Sequence, residues 1–84
     1  MNITHEVLSI IDDVLSLQGR TAAFVPETPL LGAIPELDSM AVVALITALE
    51  ERFGFVVDDD EITSSIFETV GAMTEFVESK LAKQ

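Results

Sequence analysis

Apolar residues recur at the start of the chain with the spacing of one helical face. Ile3, Val7, Ile10, Ile11, Val14 and Leu17 share one side, and Glu6, Asp12, Asp13 and Ser16 take the other. Asn2 or Thr4 can cap the start, Glu6 suits the positive end of the macrodipole, and Gln18-Gly19 marks a stop. This pattern predicts a helix over residues 3–17. A second run predicts a helix over 39–53, with Val42, Leu45, Ile46, Leu49 and Phe53 as its core stripe and Gly54 as its stop. Met40, Ala41, Val43, Ala44 and Thr47 fall off that stripe, so the first half of this helix shows an apolar or neutral surface, and Glu50 and Glu51 follow in its second half. A last helix reads over 70–83, capped by Thr69, with Val70, Met73, Phe76, Val77 and Leu81 inward. Lys80 and Lys83 lie in its final turns, where cations are favoured.

Residues 18–38 have no usable period. Pro26, Pro29, Pro35 and Gly32 forbid a long helix, yet Phe24, Leu30, Leu31, Ile34 and Leu37 are too apolar for a solvated linker. The stretch reads as an ordered loop that crosses the helices and tucks those side chains into the core. A short turn is expected near Thr28 to Leu31, where Pro29 suits a first helical position. Phe55-Val56-Val57 is too short and solitary for a strand and is read as a loop anchor. Ile62 to Glu68 predicts a turn or two of helix, with Ile66 and Phe67 as core contacts. The fold class is therefore all-α: a small four-helix bundle, three main helices plus one short one, with a long ordered loop between the first two. At 84 residues the chain forms a single domain over 1–84.

Charge changes the picture most. Fifteen acids against four bases (Arg20, Arg52, Lys80, Lys83) give a net charge of −11. A domain of this length has a radius of gyration of about 12 Å, close to the Debye length of about 8 Å in physiological salt. Much of the self-repulsion thus survives screening. No basic patch is available to neutralise phosphates, so nucleic acid is excluded as a partner, and a basic protein surface is the natural one. Charge of one sign on the polar helix faces predicts a monomer. No run approaches the length of a membrane span, and the start lacks a basic signal region. A cytoplasmic protein is the expectation.

The usual chemistry of active sites is missing. There is no cysteine, and His5 is the only histidine, so neither a nucleophile–base triad nor a transition-metal site can be assembled from the usual ligands. Asp58-Asp59-Asp60-Glu61 fails as a calcium loop: counting from Asp58, position six is Thr63 and position twelve is Thr69, where glycine and glutamate are needed. No metal site and no enzyme is expected. What remains is Asp38-Ser39 at the start of the second helix, between a proline-rich loop and the amphipathic run. Both residue types are preferred caps, and either could simply close the helix. A hydroxyl there also sits beside free N–H groups that favour a bound anion.

In this frame the chain resembles the acyl carrier proteins, within the wider group that includes peptidyl and D-alanyl carriers. The resemblance spans essentially the whole chain. It rests on Leu37-Asp38-Ser39-Met40, on a helix closing with Leu49-Glu50-Glu51-Arg52-Phe53-Gly54, on the acidic turn, and on the Thr69-capped last helix. It implies that Ser39 receives a 4′-phosphopantetheine arm from coenzyme A, installed by a separate phosphopantetheinyl transferase with magnesium. Asp38 would help to orient the serine and that metal. The arm's thiol would hold acyl or aminoacyl groups as thioesters, as in fatty acid or polyketide biosynthesis, and present them to acyl-loading and acyl-transfer enzymes. Such partners typically bring a basic docking patch; Glu50 and Glu51 would meet it, with Met40, Val43 and Thr47 as apolar contacts. Ala41 and Ala44 stand where fatty-acid-synthesis carriers often have acids. That departure favours a dedicated partner set with a more apolar interface, similar to carriers of bacterial exosortase systems or specialised biosynthetic clusters. The competing reading is an unmodified acidic helical module that only binds a basic partner; it predicts that Ser39 is dispensable.

Overall fold

A computed structural model describes residues 2–83. Three α-helices carry the fold: α1 (Ile3–Leu15), α2 (Ser39–Phe53) and α3 (Val70–Ala82). Helix α1 is the spine, packing on both α2 and α3. The Cα radius of gyration is 11.7 Å, as the length implies.

The caps explain the bounds. Asn2 accepts the His5 N–H at 3.1 Å, and Thr69 accepts the Ala72 N–H at 3.0 Å. Gly54 ends α2 in the left-handed region (φ 77°), its N–H bonded to the Glu50 carbonyl. Helix α1 stops two residues before the expected Leu17, and the reason is Asp12. Its carbonyl takes the N–H groups of both Ser16 and Leu17. Its carboxylate then takes the Gly19 N–H and the Thr21 hydroxyl, each at 2.9 Å. One residue thus folds the chain back, with Ser16 held at φ 55°, at a cost of about 1–2 kcal/mol for a non-glycine residue in that region. Helix α3 likewise ends at Ala82 rather than Lys83.

The long connection is ordered. It opens with a 3₁₀ turn at Arg20–Ala23 and seats Leu30 and Leu37 fully in the core, with Phe24 and Ile34 partly buried against it. The turn expected near Thr28 to Leu31 is displaced to either side of Pro29: Thr28 N–H donates to the Val25 carbonyl, and the N–H groups of Ala33 and Ile34 donate to the Leu30 carbonyl. Pro29 instead makes an extended, antiparallel contact with Thr69. Leu30 N–H donates to the Glu68 carbonyl at 2.8 Å, and Val70 N–H donates to the Thr28 carbonyl at 3.1 Å. Proline has no N–H to lose in such a pairing, so it tolerates the edge. Nearby, Gly71 N–H donates to the Pro26 carbonyl at 2.8 Å, and a Cβ at Gly71 would lie 3.1 Å from that oxygen. The glycine is what lets the loop lie against α3.

The core is built from the expected stripes. Val7, Ile11, Leu45, Leu49, Val70, Met73 and Val77 have no exposed surface, each worth about 1.5–3 kcal/mol of burial. Phe76 and Leu81 are only partly buried at the edge of this core. Phe53 is also partly buried, its ring stacked on Phe55 at 6.0 Å. Phe55 and Val57 anchor the loop after α2, as expected of that short run. The short fourth helix is a four-residue 3₁₀ turn, Ser64–Phe67, with Phe67 buried and Ile66 at the edge of the core. Among the described residues three ion pairs join distant segments: Arg20 to Glu36, Arg52 to Glu6, and Lys80 to Glu61 at 2.8 Å. The acidic turn is closed by its own residues. Asp58 N–H donates to the Glu61 carboxylate at 2.9 Å, and Glu61 N–H donates to the Asp58 carbonyl. Lys80 and that N–H hold the Glu61 carboxyl below its ordinary range. Among the described residues no helix is long and apolar enough to cross a membrane.

Candidate functional site

Asp38 is the cap of α2. Its backbone is extended (φ −104°, ψ −174°), and its Oδ1 accepts the Ala41 N–H at 2.8 Å while its carbonyl accepts the Val42 N–H at 3.0 Å. Ser39 therefore occupies the first helical position, and its side chain is released from capping. It is exposed, and among the described residues no hydrogen bond uses its hydroxyl. The N–H groups of Ser39 and Met40 precede those satisfied by Asp38 and, among the described residues, have no acceptor at the positive end of the helix. An exposed hydroxyl, two open N–H donors and a carboxylate with one oxygen uncommitted thus meet at one point.

The segment before this point is tied down. Leu37 is buried, Leu37 N–H donates to the Ile34 carbonyl, and Asp38 N–H donates to the Glu36 carbonyl. Arg20 reaches across to Glu36, whose carboxyl is held below its ordinary range by its own backbone N–H and by the guanidinium. The start of the long loop is thereby clasped to the residues that precede Ser39.

Beside Ser39 lies an open groove of about 370 Å³. Leu31, Leu37, Val42, Ile62 and Phe67 line it together with Asp38 and Ser39. Leu31, read from the sequence as a core residue, is 40% exposed because it lines this groove. Two other recesses of similar size flank α1, one against α2 and one against the 20–23 turn; neither reaches Ser39. His5 lines the second of these, away from the hydroxyl.

The remaining candidates separate on inspection. Met40 is 78% and Val43 64% exposed, and both project from α2 near Ser39. Thr47 is exposed, with its hydroxyl donating to the Val43 carbonyl at 3.0 Å. Glu51 is exposed, whereas Glu50 is partly buried and its Oε2 accepts the Val57 N–H at 2.8 Å. Val56, 73% exposed in the following loop, is a surface residue that periodicity could not single out. Among the described residues no three His, Asp or Glu side chains converge to hold a metal ion.

A small helical domain with an exposed serine at the start of its second helix is the class this geometry describes, and comparison with known proteins places it in a family. Residues 5–77 match the family of the phosphopantetheine attachment site. The chain is similar to aminoacyl carrier protein 2 of Bradyrhizobium diazoefficiens, 31% identical over 81 residues that cover 96% of this chain and 89% of that one. It is also similar to the solution NMR structure of a holo acyl carrier protein from Nitrosomonas europaea. There the identity is 54% and the TM-score 0.90, with 98% of this chain and 99% of that one covered. The chain belongs to the acyl carrier protein family, whose prosthetic group is 4′-phosphopantetheine. It is a carrier and not an enzyme.

Proposed function

We propose that Ser39 is the attachment point of the 4′-phosphopantetheine arm, and that the protein presents acyl or aminoacyl groups to partner enzymes from there. The observation that carries this reading is the division of labour at the start of α2: Asp38 takes the cap, and Ser39 is left exposed with its hydroxyl uncommitted. Had Ser39 been the cap, its oxygen would be held on the backbone and unavailable.

The residues fit the arm. Its phosphate, once joined to the Ser39 oxygen, would lie against the open N–H groups of Ser39 and Met40, where an anion is favoured by the helix end. The chain beyond that phosphate has the apolar groove of Leu31, Leu37, Val42, Ile62 and Phe67 at hand. In the transfer the Ser39 O–H proton is lost as the oxygen–phosphorus bond forms, and the nucleotide half of coenzyme A leaves. The protein's only histidine lines a different recess, so the base belongs to the phosphopantetheinyl transferase. Asp38 holds the serine in place through its cap and offers its second carboxylate oxygen to the transferase's magnesium. When bound, the arm supplies a thiol that carries the cargo as a thioester, chemistry the chain itself lacks. The protein's contribution is a rigid, acidic platform. Its partners are the transferase and the enzymes that load and remove the cargo.

Incubation with a phosphopantetheinyl transferase, magnesium and coenzyme A tests this. One arm should be added to the wild type and none to Ser39→Ala with its helical spectrum unchanged. Addition to the alanine variant would overturn the assignment.

A further inference from the structure

Arg20 stands between two residues that a single side chain holds. The Asp12 carboxylate accepts the Gly19 N–H on one side of it and the Thr21 hydroxyl on the other, and Arg20 N–H itself donates to the Leu17 carbonyl at 3.2 Å. Thr21 is buried. The backbone at Arg20 is thereby fixed to α1, while its guanidinium reaches outward to Glu36. Glu36 in turn belongs to the short segment that delivers Ser39. Its carbonyl accepts the Asp38 N–H at 3.1 Å, and its carboxylate is also bonded to its own N–H. Three consecutive side chains pin this segment in three directions: Glu36 to Arg20, Leu37 into the core, and Asp38 to the Ala41 N–H of α2. Without Arg20 the segment keeps its core anchor and its cap and loses the restraint that comes from α1.

Resting on Ser39 as the attachment point, we propose that Arg20 is a positioning residue for arm transfer: through Glu36 it sets where the Ser39 hydroxyl and the uncommitted Asp38 oxygen stand when the transferase engages them. The pair adds little to global stability. Its side chains are 55% and 38% exposed, and pairs so open to water contribute little to a fold. Transfer to a hydroxyl asks more of the same contact, because its rate depends on how well the attacking oxygen is aimed at the phosphorus it meets. The relay runs from Asp12 through the 19–21 turn to Arg20, and from Glu36 through Asp38 to the hydroxyl, so a residue distant in the chain acts on the site without touching it.

The test follows a single turnover of arm addition to the full chain by intact mass, with a phosphopantetheinyl transferase in excess, magnesium and coenzyme A, well below the melting midpoint of every variant. The limiting rate at saturating transferase reads the aim of the hydroxyl, and the half-saturating transferase concentration reads docking. Arg20→Gln and Glu36→Gln should each lower the limiting rate about two- to fivefold, the span an exposed pair can supply, and leave half-saturation within about twofold. The double variant should be no slower than either single one, because both changes remove the same contact. Arg20→Lys should recover most of the wild-type rate, since the contact runs through one guanidinium nitrogen and one carboxylate oxygen and an ammonium can replace it. A limiting rate unchanged in Arg20→Gln, a loss confined to half-saturation, or losses that multiply in the double variant would each overturn the inference. So would a double variant restored to the wild-type rate: it carries the wild-type net charge, and recovery would assign the single losses to charge and not to position. Failure of the wild type to gain any arm would overturn the inference together with the attachment reading beneath it.

Discussion

Asp38 is assigned two tasks that substitution can separate. As a cap, its Oδ1 satisfies the Ala41 N–H at 2.8 Å, and its charge faces the positive end of α2. Replacement by alanine leaves that donor to water. Loss of such a cap costs about 0.5–2 kcal/mol, and loss of the favourable charge about 0.3–1 kcal/mol. Each kcal/mol lowers the midpoint of a domain this size by about 4–8 °C, so Asp38→Ala should melt roughly 3–24 °C below the wild type. Asparagine caps as well as aspartate, so Asp38→Asn forfeits only the charge and should melt about 1–8 °C lower. Transfer of the arm follows a different order. Both variants lack the carboxylate proposed to face the transferase's magnesium, so both should accept the arm slowly, the asparagine variant while nearly as stable as the wild type. Thermal melts followed by circular dichroism, and initial rates of arm addition well below either midpoint, measure the two effects separately. Equal melting losses in the two variants would refute the cap. Wild-type transfer rates in Asp38→Asn would refute the second task and leave Asp38 as a cap alone.

Two further outcomes follow from charge. Glu61 has a carboxyl pKa lowered in the fold by Lys80 and by the Asp58 N–H; stability from a depressed carboxylate is present above its unfolded value of about 4.5 and is lost as pH falls through the folded one. Glu61→Gln should therefore narrow the difference in melting temperature between neutral pH and pH just below that range, and an unchanged difference would show that the Lys80 pair does not contribute to acid sensitivity. The radius of gyration, 11.7 Å, lies between the Debye lengths at about 10 mM salt (about 30 Å) and about 150 mM (about 8 Å). Adding salt over that range should raise the melting temperature, because self-repulsion at −11 outweighs three partly exposed ion pairs. A fall would mean that the pairs dominate.

The parts of this fold that sequence made legible are those decided locally. Helix α2 begins and ends where Asp38 and Gly54 say it must, because a cap and a left-handed stop act within one turn. The core stripes of all three helices follow from a period that burial enforces. What could not be read was decided by partners distant in the chain. Pro29 has the signature of a first helical residue, and only the pairing with Thr69 makes it extended. Ser16 ends α1 early because Asp12 gathers N–H groups as far away as Gly19. The site shows the same division. Asp-Ser at a helix start was visible, but not which of the two would cap, since both residue types can. Glu50 and Glu51 look alike in the sequence, and only the loop folding back to Val57 distinguishes a strut from a free charge. The groove beside Ser39 was also hidden, since Ile62 and Phe67, more than twenty residues further along the chain, share its lining with Leu37 and Ser39.

The most direct measurement is peptide mapping by tandem mass spectrometry of the wild-type protein after treatment with transferase and coenzyme A. The account predicts one phosphopantetheine arm per chain, on the peptide that spans Leu37 to Met40, with the fragment ions placing it on the Ser39 oxygen. An arm found on any other serine or threonine, or a wild-type chain that accepts none, would contradict it.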